Sequence, residues 1–387
     1  MRRDIFGEEH RLWREQVRRF CEREIAPRVP EWNRQGMSDR ATWRRAGEEG
    51  LLGVCAPPEY GGAGADFLYA QIVNEELARV RAHGIMIPLH ADIVLPYLLS
   101  YGSAAQKRRW VPGAVSGEVI LGIAMTEPGA GSDLQAIQTT ARRDGDTWVV
   151  KGQKTFISNG QIGDLFVVAV KTDPTARPAH RGMSLLLVEA DRPGFVRGRR
   201  LDKLGLPGQD TSELFFEECR VPVANLLGAE GDGFKMLMQQ LQQERLVIAI
   251  TAIASCRRAL DDTLEYCRQR RAFDRPIAAF QHTQFTLAEL ATEVEIGQVF
   301  VDRLCAAHVR HEDLVTEVSM AKWWTTDLQK RLVSACLQLH GGYGFMRETP
   351  IAQDYADAAV QSIYAGTNEI MKVIIARRMG LDPGRSA

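Results

Sequence analysis

Several features are missing from this sequence, and each absence narrows what the protein does. Apolar runs such as those at residues 165–170 and 183–188 are much shorter than the roughly 20 residues of a membrane-spanning helix. The first residues are polar and charged, without the apolar core of a signal peptide. Lys and Arg number 48 against 49 Asp and Glu, so no basic field favours nucleic acid or an acidic membrane. We expect no membrane span and no nucleic-acid partner.

The cysteines also exclude two classes of site. The chain has 7 of them, an odd number, widely scattered and without a Cys-Xaa-Xaa-Cys pair. This pattern favours reduced thiols in the cytoplasm over a disulfide framework. No group of His and Cys residues has the spacing of zinc ligands. We therefore expect a cytoplasmic protein without a metal site.

The hydrophobic periodicity changes twice along the 387 residues. Helical spacing dominates from residue 8 to about 118, and short apolar or alternating runs separated by Gly, Pro and Asp follow until about 225. Long helical patterns return from Gly233. The sequence predicts an α+β multidomain fold, with an N-terminal helical domain (1–118), a middle antiparallel β-domain (119–228) and a C-terminal helical domain (229–387).

The stretch Met-Thr-Glu-Pro-Gly-Ala-Gly-Ser-Asp at residues 125–133 follows a predicted strand. Gly129 and Gly131 remove side chains where a planar or phosphorylated ligand would lie, while Thr126, Ser132 and free backbone N–H groups offer it hydrogen bonds. Pro-Gly and Gly-Ser-Asp are also common in ordinary turns. As a pattern of residue types, the stretch is compatible with a binding loop and with a plain strand end.

Glu244 stands out because it falls inside an apolar helical stripe. Phe234, Leu237, Leu241, Glu244 and Ile248 are spaced so that all five lie on one helix face. A buried carboxylate is unfavourable unless it is paired or used in chemistry. On the residues alone, an ion pair with an arginine of a neighbouring helix and a catalytic role both remain open.

Several segments, in the same order and at similar spacing, resemble the acyl-CoA dehydrogenase family of flavoproteins. The stretch at 125–133 is followed by Lys-Thr-Phe-Ile-Ser-Asn at 154–159. Four further segments continue the resemblance over nearly the whole chain: ERL at 244–246, RRAF at 270–273, QLHGGYGF at 338–345 and YAGTNEIM at 364–371. The resemblance implies the family's helical, β and helical architecture, with a C-terminal domain like a four-helix bundle.

The resemblance also implies where the catalytic base lies. Most members use the Glu of a Tyr-Glu-Gly-Thr segment to remove the α-proton of the substrate, and here that position is Ala365. In the long-chain and isovaleryl types the base lies in a Glu-Arg-Leu context on the helix that opens the C-terminal domain, which matches Glu244. The chain is therefore most similar to the long-chain type. The backbone N–H of Ala365 would still serve as an oxyanion-hole donor to the thioester oxygen.

The family further implies FAD as cofactor, with Arg270, Phe273, Gln281 and the segment 338–342 reaching it across a subunit interface. Plain structural roles stay open: solvated turn residues at 270–276, helix termination at Gly341 and Gly342, and packing of Phe156 in a strand. Asp274 departs from the family's usual Gly. The expected cofactor contacts are Met125, Thr126, Gly131, Ser132, Phe156, Ile157, Ser158, Arg270, Phe273, Gln281, Gln338, Leu339, Gly341, Gly342, Thr367 and Glu369.

The implied function is α,β-dehydrogenation of an acyl-CoA to a trans-2-enoyl-CoA in fatty acid β-oxidation or related acyl catabolism. Ser132, Arg245 and Gly366 are the expected substrate contacts. An electron-transferring flavoprotein is the implied electron acceptor, and the implied assembly is a homotetramer formed as a dimer of dimers. Three alternatives stay open: an enzyme acting on an acyl carrier protein thioester, an oxygen-using flavin enzyme on the same scaffold, and a flavin-binding protein without dehydrogenase activity.

Overall fold

The N-terminal third of the chain is helical in the computed structural model, which describes residues 3–381. Residues 1–2 and 382–387, at the outer ends of the first and third predicted domains, lie outside the described residues. The α-helices of this third are α1 Glu8–Phe20, α2 Val29–Gln35, α3 Arg40–Glu48, α4 Phe67–Arg79, α5 Leu95–Tyr101 and α6 Ala104–Ser116. A π-helical turn, Leu89–Val94, leads directly into α5.

Local side-chain caps explain where several of these helices begin. The Asp39 carboxylate accepts from the backbone N–H of Thr42 at the start of α3. At the start of α6, Ser103 and Gln106 each bind the other's backbone N–H, a capping box that satisfies two otherwise free donors. Gly117 ends α6 in the left-handed conformation, which glycine adopts without strain.

The middle of the chain folds into a sheet whose central strands are buried on both faces. The strands are β1 Leu121–Ala124, β2 Thr140–Asp144, β3 Thr147–Ser158, β4 Leu165–Lys171, β5 Met183–Glu189, β6 Phe195–Arg200, β7 Thr211–Pro222 and β8 Leu226–Leu227. β4 is apolar at residues 165–170 and β5 at residues 185–188, because a core covers each of their faces.

The strand order is β6-β7-β3-β2-β4-β5-β8, and β1 lies beside β4. Most neighbours are antiparallel, as predicted, but β1 runs parallel to β4, and β2 meets β4 in parallel at a single pair, Thr140 with Lys171. The sheet is thus predominantly rather than purely antiparallel. In the sequence, the β2–β3 hairpin lies between β1 and β4, although the two strands are direct neighbours in the sheet. Hydrophobic alternation marks a strand but does not predict the direction of its pairing with a strand so distant in sequence.

The C-terminal part is built around one long helix, α7 Gly233–Gln269, which packs against α4, α8 and α9. A short hairpin, β9 Arg271–Ala272 and β10 Arg275–Pro276, separates it from α8. The remaining helices are α8 Gln281–Val309, α9 Val315–His340, α10 Pro350–Gln361 and α11 Asn368–Arg378. Within residues 3–381 no helix is both long and apolar enough to cross a membrane.

Candidate active site

Glu244 lies on the buried middle part of α7, with 3% of its surface exposed. Its Oε1 accepts a hydrogen bond from the Tyr97 hydroxyl of α5 at 2.7 Å. The partner is therefore a neutral phenol and not an arginine of a neighbouring helix, the alternative that the sequence had left open. The adjacent Arg245 is also buried, because helices surround α7 on several sides.

The surroundings of Glu244 favour exchange of a proton near neutral pH. Burial raises the pKa of Glu244 from 4.5 to about 7, and the Tyr97 hydrogen bond and the Arg245 charge oppose that rise. Burial also lowers the pKa of Arg245, whose Nε has no hydrogen-bond partner in the described chain. A carboxylate whose pKa lies near the working pH is suited to general-base chemistry.

The loop at Ala365 and Gly366 lies beside Arg245. A Cβ built on Gly366 would stand 3.9 Å from Nη2 of Arg245. Ala365 and Gly366 both have left-handed backbone, with φ of 52° and 86°, so a residue with a side chain occupies a conformation that favours glycine. Thr367 then caps α11 by accepting from the backbone N–H of Ile370. Glu369, in the first turn of α11, is exposed.

Lys322 of α9 holds the loop at Ala365 and Gly366 in place through hydrogen bonds. Its ammonium is fully buried and donates to the Gly366 carbonyl at 2.7 Å and to Oδ1 of Asn368 at 3.1 Å. Burial and, to a smaller extent, the charge of Arg245 lower the pKa of Lys322 to about 7, while Glu369 opposes the change. The loop conformation therefore depends on a buried cation whose hydrogen-bond partners are a carbonyl and an amide.

A second group of predicted residues surrounds the loop after β1. The Lys154 ammonium donates to the Met125 carbonyl at 3.0 Å, and the Thr155 N–H donates to the Thr126 carbonyl at 2.9 Å, which joins this loop to β3. Ser132 and Gly131 are exposed, and a Cβ built on Gly129 or Gly131 would meet no atom within 4 Å. The two glycines therefore border open space.

A bulge in β3 turns Phe156 outward. The pairing of β3 with β7 gains one extra residue between Lys154 and Ile157, and Phe156 has a φ of 60° with 67% of its surface exposed. Its neighbour Ile157 is buried, and the Ser158 hydroxyl accepts from the Gln209 amide at 2.6 Å. The interpretation of Phe156 as a packed strand residue is wrong for this chain, because the bulge removes it from the core.

The third group lies at the other end of α7. Arg270, Leu339, Gly341 and Gly342 help to line an open cavity of about 440 Å³, and the Arg270 guanidinium stands 5.7 Å from the ring centre of Tyr343. The other members are exposed, Phe273 by 89% of its surface on the β9–β10 turn, Gln281 at the start of α8 and Gln338 near the end of α9.

The structure thus divides the predicted residues among three groups. Arg245, which follows Glu244 on α7, lies beside the 365–369 loop. Met125 to Ser132 lie with Phe156 to Ser158, and Arg270 lies with the glycines at 341 and 342. No hydrogen bond or ion pair joins one group to another within residues 3–381.

Sequence reasoning missed two residues, Tyr97 and Lys322. Lys322 had a readable signal, because it follows Val318 by four residues, a spacing that puts both side chains on the same, buried face of α9. Tyr97 had none, because a tyrosine in an apolar helix is ordinarily a packing residue.

Three family models together match most of the chain. They are acyl-CoA dehydrogenase, N-terminal domain, at residues 7–118, middle domain at residues 122–219, and C-terminal domain at residues 231–380.

Individual relatives give the same result. The long-chain specific acyl-CoA dehydrogenase of Rattus norvegicus mitochondria is 45% identical over 98% of this chain and 88% of its own length. The crystal structure of an acyl-CoA dehydrogenase from Geobacillus kaustophilus superposes with a TM-score of 0.97 at 52% identity, covering 98% of this chain and 100% of the other. An acyl-CoA dehydrogenase from Bacillus anthracis, solved in complex with FAD, has a TM-score of 0.90 at 29% identity, covering 97% of this chain and 68% of the other. With its three-part architecture and these matches along nearly its whole length, the chain belongs to the acyl-CoA dehydrogenase family.

Proposed function

We propose that this protein is an FAD-dependent acyl-CoA dehydrogenase that converts an acyl-CoA thioester to a trans-2-enoyl-CoA. The observation that carries the proposal is Glu244, a buried carboxylate with one neutral partner, whose neighbour Arg245 lies beside a loop in which Ala365 supplies no acid. Fatty acid β-oxidation, or a related acyl catabolism, is the pathway class that this reaction serves.

The residues present fit FAD. The open space beside Gly129, Gly131, Gly341 and Gly342 leaves room for a large ligand against the backbone, and the outward ring of Phe156 offers a flat apolar surface. Arg270 beside its cavity provides a cation for a phosphate. Met125, Thr126, Ser132 and the residues 156–158 would hold one part of FAD, and Arg270, Phe273, Gln281, the segment 338–342, Thr367 and Glu369 the remainder.

FAD, when bound, supplies the acceptor for the hydrogen that leaves the β-carbon as hydride. Glu244 would take the α-proton, because its pKa of about 7 leaves a substantial ionised fraction at neutral pH. The N–H of Ala365 would donate to the thioester oxygen as negative charge develops there. Arg245, Gly366 and Ser132 would contact the substrate.

We also propose a homotetramer, formed as a dimer of dimers, that passes electrons to an electron-transferring flavoprotein. Exposed apolar side chains support association: Phe273 on the β9–β10 turn and Phe285, Ile296 and Val299 on α8. The open cavity at Arg270 supports a neighbouring subunit that completes the FAD site. The free cysteines support a reducing compartment such as the cytoplasm. A monomer with full flavin occupancy in light scattering would contradict the assembly.

Anaerobic titration of the purified holoprotein with acyl-CoAs tests the function. Straight and branched acyl-CoAs, from short to long, are added while the flavin absorbance is followed. We expect at least one of them to bleach the flavin, and the bleached flavin to reoxidise slowly in air. Fast reoxidation by air would instead indicate an oxidase, and bleaching only by acyl carrier protein thioesters would indicate that substrate class. A flavin that no thioester bleaches would overturn the proposal.

A further inference from the structure

Tyr97 is a fully buried phenol whose hydroxyl points at the candidate base. Its exposed fraction is 0%, and its oxygen lies 2.7 Å from Oε1 of Glu244. The two residues come from different domains of the predicted organisation, α5 and α7. A hydrogen bond between two buried ionisable groups has a strong effect on the chemistry of both.

Tyr97 is the single hydrogen-bond donor to Glu244 among residues 3–381. No N–H or O–H of these described residues donates to Oε2. A phenol stabilises the ionised carboxylate, but it carries no charge that would hold the group permanently ionised. Glu244 therefore has one oxygen fixed in place and a second oxygen available for a proton.

Few other charged or titratable groups face this pair. Arg245, on the same helix, acts on Glu244 through its charge, and Tyr101, one turn along α5, lies near Tyr97. Asp92, on the π-helical turn before α5, accepts from Gln243 through its backbone carbonyl. Lys322 on α9 interacts with Arg245. Tyr97 is therefore the dominant partner that an experiment can remove without changing the local charge.

We propose that Tyr97 is the positioning residue of the base, holding Oε1 of Glu244 so that Oε2 receives the α-proton. This inference rests on the proposed function. In the step, the α-carbon–hydrogen bond breaks and a new O–H bond forms at Oε2. The electron pair of the broken bond passes into the thioester carbonyl, whose oxygen gains negative charge beside the Ala365 N–H, and it forms the α,β double bond when the β-hydrogen leaves as hydride. Tyr97 keeps its own proton throughout, because burial and Glu244 raise the pKa of its hydroxyl well above the ordinary value.

Tyr97→Phe in the holoenzyme tests the inference. The substitution removes the hydroxyl and keeps the ring, so the ionised form of Glu244 loses its hydrogen bond. We expect the pH profile of single-turnover flavin reduction to move to higher pH by on the order of one unit. A one-unit rise from a pKa of about 7 lowers the ionised fraction at neutral pH from about one half to about one tenth, so the rate there should fall roughly fivefold. At alkaline pH most of the loss should be recovered. A residue with only a packing role would change the thermal stability without moving the profile.

Two further proteins keep the test decisive. Tyr101→Phe is the matched control, because its hydroxyl contacts Gln239 and Met236 and not Glu244, so the profile should stay unshifted. Site-specific replacement of Tyr97 by 3-fluorotyrosine keeps the hydroxyl and makes it a stronger donor, so the profile should move to lower pH. This second variant also provides the answer if Tyr97→Phe does not fold.

An unshifted profile in a folded Tyr97→Phe enzyme, or in the fluorotyrosine enzyme, would overturn the inference. The same measurement on Glu244→Gln separates this result from failure of the proposed function. If Glu244→Gln reduces the flavin as fast as the unmodified enzyme, Glu244 is not the base. If Glu244→Gln is slow and the Tyr97 variants keep the original profile, only the role of Tyr97 is wrong.

Discussion

Two buried glutamates, one in the β-domain and one on the central helix α7, have opposite environments. Glu127 accepts from the Lys154 ammonium at 2.8 Å and from the backbone N–H groups of Gln138 and Thr139 at 2.6 and 3.0 Å. Among the described residues, Tyr97 alone donates to Glu244. Both are nearly fully buried, with exposed fractions of 7% and 3%.

The number and charge of the donors decide what each glutamate does. Burial by itself would raise the pKa of Glu127, but Lys154 and the backbone donors outweigh it and hold that pKa below its usual range. Glu127 is thus held ionised and ties the 125–133 loop to the sheet. Glu244 lacks such support, and its pKa rises to about 7. A buried carboxylate becomes a proton acceptor when its partners are too few to fix its charge.

The largest effect is expected from Glu244→Gln, which keeps the size of the side chain and removes its basicity. FAD and acyl-CoA should still bind, while flavin reduction in a single turnover slows by about 100-fold to 10,000-fold. Adding Ala365→Glu to this variant restores a carboxylate at the family's more common position, and some activity should return. An unchanged rate in the single variant would rule out Glu244 as the base.

Lys154→Met tests whether Glu127, the partner of Lys154, has a structural role. The substitution leaves the Glu127 charge buried without its cation, so the free energy of unfolding should fall by about 3–5 kcal/mol in denaturant titrations. Lys151→Met, at an exposed position of the same strand, is the control and should change it by less than about 0.5 kcal/mol. A loss similar to that of the control would show that the pair does not stabilise the sheet.

The pH dependence of stability should distinguish the two glutamates as well. A carboxyl whose folded-state pKa is raised binds its proton more tightly in the folded state, so it favours folding at low pH and loses this effect as pH rises. For Glu244 the loss runs from pH 4.5 to about 7 and amounts to on the order of 3 kcal/mol. Glu244→Gln should therefore gain stability relative to the unmodified protein across this range. If the free energies of unfolding of the two proteins differ by the same amount at every pH, the pKa of Glu244 is not raised in the folded state.

The smallest effect is expected from Lys322→Met. Lys322 donates to a carbonyl and an amide oxygen, and Asn368 Oδ1 keeps the Thr326 hydroxyl as a donor at 3.1 Å. This substitution leaves no buried carboxylate without its partner. The free energy of unfolding should therefore fall by only about 1–3 kcal/mol in denaturant titrations. Lys154 pairs with a carboxylate and Lys322 with uncharged oxygens. If Lys322→Met lowers the free energy of unfolding as much as Lys154→Met, this difference in partner charge does not explain how much each lysine stabilises the fold.

Much of the fold and part of the site could be predicted from the sequence alone. The helical spacing before residue 118 and after Gly233 marked the helical regions, and the apolar stripe around Glu244 revealed a carboxylate on a buried helix face. These are local patterns, because a helix face is set by residues three and four apart. The domain boundaries at 118/119 and 228/229 stay predictions, as do the roles of the site residues.

The tertiary structure decided which groups the site residues contact and how distant strands pair. Tyr97 and Glu244 are 147 positions apart, and Lys322 meets Gly366 from another helix, so no local spacing connects them. The outward turn of Phe156 depends on how β3 pairs with β7, and the parallel pairing of β1 depends on where β4 lies. The sequence alone determined that a carboxylate would be buried at position 244. Packing determined that its donor is a neutral phenol, because the neighbour of a buried side chain is set by which helices meet there.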